Sequence, residues 1–197
     1  MDVQYAAELV GMSLQRLVDH ASEEPWVCLQ VDMRNAFNTV DRSAMLAQCA
    51  KKVPAAYDWL SWCYEQHCPL FCQGKLLLSS RTGVHQGDAM GPLGFALGLD
   101  AALDKCQEFQ VGLWCAWYLE DGTVVGSVTA VAAYLQALSP ALSAIGLQLN
   151  LVKTVARRPG LQKEVSLMAP EWELLQDNHP LKKCTSSPSA RRRDFVV

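Results

Sequence analysis

The chain has 197 residues, half of them hydrophobic, with a formal net charge of −3 and a pI near 5.8. That is enough apolar chain for one sizeable core, and one domain is expected. The acidic balance excludes a broadly basic nucleic-acid-binding surface, so contact with nucleic acid would need a local patch. No secretory leader or long uncharged apolar run is apparent, and several of the eight cysteines sit inside apolar runs. An intracellular, reducing setting is expected, with thiols acting as small core residues. The densest cysteine stretch, WCYEQHCPLFC (Trp62–Cys72), has no CxxC and no second ligand cluster, so structural zinc is not expected.

Taken in chain order, Leu9, Val10, Leu14, Leu17 and Val18 recur at helical spacing and predict an amphipathic helix over Tyr5–Asp19. Pro25 breaks that pattern, and WVCLQVD (Trp26–Asp32) reads as a strand ending in an acid. Asp41 or Ser43 can cap a helix through Met45, Leu46 and Cys49, and Pro54 starts another through Tyr57, Leu60 and Tyr64. In PLFCQGKLLLS, Gln73-Gly74 separates two apolar runs as a hairpin tip does. TGVHQGDAMGPLGFALGLDAAL begins as a glycine-rich loop and turns helical after Pro92, with Leu93, Ala96, Leu97 and Ala101 as its apolar face.

WYLEDGTVVG then sets Glu120 and Asp121 at a sharp turn between two apolar runs. Thr129–Ile145 reads as a helix through Val131, Tyr134, Leu135, Leu138 and Leu142, with Pro140 as a point of kinking or division. LQLNLVKT alternates like a half-exposed strand, so Lys153 is expected on the polar side of that strand. Beyond about Gln162 the pattern fades apart from an amphipathic stretch near Trp172–Leu175, and the polar, then basic, end CTSSPSARRRDFVV reads as disordered. The sum is an α+β architecture, a mixed sheet with helices on one face.

If the strand ending at Asp32 neighbours the Glu120-Asp121 hairpin, three carboxylates converge at one sheet edge. Oxygen donors without histidine or thiolate suit a hard cation such as Mg²⁺, and two such ions can stabilise the attacking and leaving oxygens of phosphoryl transfer. Taken alone, either acidic stretch is also what ordinary caps and turns contain.

Four stretches occur together: VDMRNAFNTVDR, GVHQGDAMGPLGFAL, WYLEDGTVVG and GLQLNLVKT. Their order and approximate spacing resemble the palm motifs of reverse transcriptases, most nearly those of the non-LTR (LINE-type) retrotransposon group, over roughly residues 29–154. The resemblance implies a palm-like mixed or antiparallel sheet over residues 1–160 with fingers largely missing, and a degenerate or disordered 161–197 without a recognisable thumb. It implies RNA-directed DNA polymerisation, with an RNA template, a DNA primer, deoxynucleoside triphosphates and Mg²⁺, Mn²⁺ as its substitute, and no membrane. A nuclear setting follows only from the retroelement likeness.

By the same resemblance, Asp32, Glu120 and Asp121 are the catalytic metal ligands, with the backbone carbonyl of Met33 beside Asp32. Phe37 is the steric gate against a 2′-hydroxyl, although a helical Phe after Asp32 is equally a core residue. Gln86 and Gly87 contact nucleotide and template, where glycine lets the backbone come close. Lys153 lies near the nucleotide phosphates, or is a solvated lysine. His85 is incidental. Two departures stand out. Ala89-Met90 replaces the family's Pro-Leu, and Glu120 replaces the first of two turn aspartates. The added methylene keeps the charge but shifts the carboxylate by about a bond length, where a misplacement of order 1 Å can cost about a hundredfold in rate. The expectations are therefore an impaired polymerase domain, or a non-catalytic palm remnant that binds nucleic acid weakly. The reading without the resemblance is an α+β domain whose acids serve other phosphate chemistry or none.

Overall fold

The computed structural model describes residues 26–157 and, by its backbone, the strand at residues 164–166. The expected helix over Tyr5–Asp19, the stretch near Trp172–Leu175 and the basic end lie outside the described residues. In chain order the elements are β1 (Trp26–Val31), α1 (Ala36–Thr39), α2 (Arg42–Lys52), α3 (Tyr57–Tyr64), β2 (Cys68–Cys72), β3 (Lys75–Ser80), α4 (Gly91–Leu103), β4 (Trp114–Tyr118), β5 (Asp121–Ser127), α5 (Val128–Ser143), β6 (Val155–Arg157) and β7 (Glu164–Ser166). Short 3₁₀ turns at Pro54–Ala56 and Asp104–Gln110 lead into α3 and out of α4.

The main sheet has the order β4-β5-β1-β6-β7, every neighbouring pair antiparallel. β1 lies in the middle because its alternate residues Val27, Leu29 and Val31 are nearly or fully buried. They share one core with Val124, Ala156, Phe95 on α4, and Val131, Tyr134, Leu138 and Leu142 on α5. The helices thus cover one face of an antiparallel sheet, as the α+β reading expects. Asp41 caps α2 by accepting from the Ala44 N–H at 2.8 Å, and Ser127 caps α5 through Ala130 at 3.3 Å. α5 runs undivided through Pro140.

β2 and β3 form a separate hairpin. Gln73 and Gly74 both adopt positive φ at its tip, as a two-residue type I′ turn demands. Its Phe71, Leu76 and Leu77 are exposed, as are Trp59 and Trp62 on α3.

Two expectations change. The buried face of α4 consists of Gly94, Phe95, Leu97, Gly98, Leu99 and Ala102, whereas Ala96 is exposed. The helix turns its glycines inward because α2 and the connection before it approach closely. A Cβ at Gly94 would lie 2.8 Å from Met45 Sδ, and one at Gly98 would lie 2.5 Å from Val40 Cγ2. LQLNLVKT does not form a strand. It makes one bridge, Leu149 to Met33, and then turns over residues 151–153, so β6 begins only at Val155. Asn150 drives this turn, its carbonyl accepting from the Lys153 N–H at 3.1 Å and from the Thr154 N–H at 2.8 Å. Its side-chain oxygen also accepts from Lys153 N–H, at 3.4 Å, the local competition with strand pairing that Asn commonly makes.

Candidate active site

The β1–β5 ladder ends at the pair Val31 and Gly122, so the next residues outward, Asp32 and Asp121, are neighbours across it. Both belong to the face that carries Gln30 and Thr123, opposite the helix-covered core. Asp32 is fastened through its backbone. Its carbonyl accepts from the Asn150 N–H at 2.9 Å, and its N–H donates to Thr154 Oγ1 at 3.2 Å. Thr154 is fully buried, and its hydroxyl also donates to the Asp32 carbonyl at 3.3 Å. The side chain is held less firmly. Asp32 Oδ1 is buried with no hydrogen-bond partner, and Oδ2 lies 4.0 Å from Lys153 Nζ. A buried carboxylate oxygen without a partner is costly in an apoprotein and suited to a cation.

Glu120 is the second residue of the two-residue turn joining β4 to β5, and Leu119 before it takes φ 53°. A positive φ at Leu is a strained choice, of the kind that collects at functional turns. Behind the turn, Trp117 pairs with Gly122 across the ladder, and its ring occupies the space a side chain at 122 would need. The bulky Trp and the absent Cβ therefore set the base of the acidic turn. Among the described residues, no three His, Cys, Asp or Glu side chains form a group that could hold a metal ion. Strand register brings Asp32 and Asp121 together, with Glu120 next to them in the turn.

The remaining expected residues form a second group. Phe37, His85, Gln86, Gly87, Asp88 and Pro92 line one open pocket of about 430 Å³. Phe37, half-buried on α1, stacks on core Phe95 with centroids 4.5 Å apart and planes 11° from parallel, so it serves both core and pocket. Gly87 adopts φ 89°, open to glycine and strained for other residues. Met33 contributes its side chain to the core, leaving only its backbone for the site. Lys153 is exposed and in the turn, not on a strand, yet it is the cation nearest Asp32 in the described ion pairs.

Sequence reasoning missed Thr154 and Asn150, which fix Asp32, and Tyr64, whose hydroxyl donates to Asp88 Oδ2. Burial and that bond push the Tyr64 phenol up to about 12, while the Asp88 carboxyl, bonded by Tyr64 and by the Met90 N–H, is held below its usual value. No sequence signal marks Tyr64 beyond its place on the apolar face of α3. Thr154 and Asn150 lie inside the LNLVKT motif.

A family model described as reverse transcriptase (RNA-dependent DNA polymerase) matches residues 3–177. The chain belongs to that family. No curated protein matches this reverse transcriptase domain. Solved structures similar to it include a telomerase from Candida albicans in complex with a TWJ fragment of telomeric RNA. That match has a TM-score of 0.61 and 13% identity, and covers 82% of this chain and 31% of the telomerase chain. Apo telomerase from Candida tropicalis, truncated from its C-terminal domain, matches with a TM-score of 0.56 and 13% identity, over 85% of this chain and 39% of that one. The reverse transcriptase domain thus spans between about a third and two-fifths of those chains, and at such identity the likeness shows the shared fold.

Proposed function

We propose that this chain is the palm of an RNA-directed DNA polymerase of the non-LTR retrotransposon type, working in the nucleus on an RNA template and a DNA primer. The observation that carries this reading is the β1–β5 register that makes Asp32 and Asp121 neighbours, with a buried, unpartnered carboxylate oxygen on Asp32. The residues fit a hard divalent cation, and Asp32, Asp121 and Glu120 would hold Mg²⁺, or Mn²⁺ in its stead. When bound, such ions supply charge that favours ionisation of the primer hydroxyl and offsets charge on the leaving pyrophosphate. The protein groups do the rest. Lys153 offers a cation to the triphosphate, Phe37 limits the space beside the sugar, and Gln86 and Gly87 present hydrogen-bonding groups to the nucleotide.

A second reading is supported by Glu120 and by the lack of a three-carboxylate group among the described residues: a palm that binds nucleic acid weakly and does not polymerise. Primer extension on an RNA template with Mg²⁺ and with Mn²⁺ separates the two. The polymerase reading expects extension by the wild-type chain that Asp32→Asn abolishes, and faster extension by Glu120→Asp. Extension by neither wild type nor Glu120→Asp would favour the non-catalytic palm.

A further inference from the structure

The pocket loop has little packing to define its shape. Gln86 and Gly87 are exposed, and nothing lies within 4 Å of the Cβ position of Gly87. A backbone bond from the Asp88 N–H to the His85 carbonyl at 3.2 Å closes the turn, and one hydroxyl anchors both of these end residues to the body of the domain. Tyr64, only 1% exposed at the end of α3, donates to Asp88 Oδ2 and accepts from the His85 N–H at 3.1 Å. The His85 ring packs on the Tyr64 ring with centroids 5.0 Å apart.

The tyrosine is itself braced. The Arg42 guanidinium, on a residue 6% exposed, lies 5.3 Å from the centre of its ring. Arg42 also donates to the carbonyls of Ser80, Thr82 and Gly83 at 3.1, 3.2 and 2.8 Å, fixing the segment that leads from β3 into the loop. That entry is zipped onto α1, with Gly83 N–H donating to the Val40 carbonyl at 2.8 Å and Val84 N–H to the Phe37 carbonyl at 2.7 Å. The same set of bonds therefore fixes the loop on one side of the pocket and the Phe37 backbone on the other.

We propose that Tyr64 is a positioning residue of the nucleotide pocket, its hydroxyl setting the Gln86-Gly87 turn at a fixed separation from the Phe37 ring. This deepens the proposed function and rests on the pocket holding a nucleotide. A ring alone would fill the space under the loop. The hydroxyl adds the two bonds that tie the ends of this exposed turn to α3, and a fixed gap beside Phe37 is what discrimination at the sugar requires.

Tyr64→Phe removes that one oxygen and keeps the ring. The test titrates the full chain with a deoxynucleoside triphosphate carrying a fluorophore on its γ-phosphate, with Mg²⁺, and displaces it with dATP or ATP. Amide hydrogen exchange of residues 85–90 is followed in parallel. Tyr64→Phe should weaken dATP about tenfold, narrow the preference for dATP over ATP, and speed exchange in the loop. Wild-type affinity and preference in Tyr64→Phe, even with a lowered melting temperature, would overturn the proposal and leave Tyr64 a packing residue. Absence of nucleotide binding by wild type would overturn the nucleotide role together with the proposed function. Unchanged loop exchange would overturn the clamp by itself.

Discussion

The acidic turn is built by residues that carry no acid. Trp117 lies over Gly122, so the side chain missing at 122 is replaced by an indole from the neighbouring strand. Gly122→Val puts a β-branched side chain into occupied space in a core-facing position. It should destabilise the domain by about 1–3 kcal/mol in chemical denaturation, the usual cost of overpacking. Trp117→Leu should also destabilise when made alone, yet in combination with Gly122→Val the losses should be less than additive. Full additivity would mean that the two residues do not share that space. The places of Asp32, just past the end of β1, and of Asp121, at the start of β5, were legible in the sequence because the motifs that carry them are local. What fixes Asp32 was not, since Thr154 reaches it across 122 positions and only the folded sheet brings them together.

At the scale of elements, α2 against α4 shows where sequence patterns mislead. Hydrophobicity assigned the buried face of α4 to Leu93, Ala96, Leu97 and Ala101; Leu97 is buried and Leu93 packs on the core, but Ala96 is exposed and close approach adds Gly94 and Gly98, which have no side chain. Gly98 faces Val40, whose branched side chain is fully buried. Gly98→Ala gains about 1 kcal/mol of helix propensity and should still destabilise by about 1–3 kcal/mol net, because Val40 has little freedom to yield. Gly94→Ala meets the flexible sulfur end of Met45 and should cost less. Equal effects in a thermal melt would contradict this packing.

The same helix pair is tied by Asp104, which accepts from Lys52 Nζ at 2.9 Å and Gln48 Nε2 at 2.8 Å. The Lys52 ammonium and the Gln48 amide hold the Asp104 carboxyl at about 2, below its ordinary 3.8. A depressed carboxyl contributes stability that is fully present above about pH 4 and lost as pH falls toward 2. The Lys52 side chain is 38% exposed, so screening reduces the contribution to about 1 kcal/mol. Asp104→Asn should remove that part of the acid dependence, measured as denaturation midpoint against pH. Alternation failed for LQLNLVKT for a comparable reason. Asn150 bonds its own neighbours and turns the chain, which carries Lys153 to within 4.0 Å of Asp32 instead of along a strand.

For the molecule as a whole, the α+β architecture and the β4–β5 hairpin follow from the short strand runs and their turns, the order of the strands around β1 is set only in the folded sheet, and the family match over residues 3–177 agrees with the four motifs. The fold divides the expected site into an acidic edge at the β1–β5 ladder and a pocket between α1 and the start of α4. The central claim is that Asp32 at that edge binds a divalent cation, and thermal melting with increasing Mg²⁺ tests it without a primer, a template or turnover. A ligand that binds the folded chain at a hundred times its Kd should raise Tm by roughly 5–10 °C for a domain of this size. The account predicts that rise for the wild-type chain and its loss in Asp32→Asn. No shift in wild type, or an equal shift in Asp32→Asn, would contradict it.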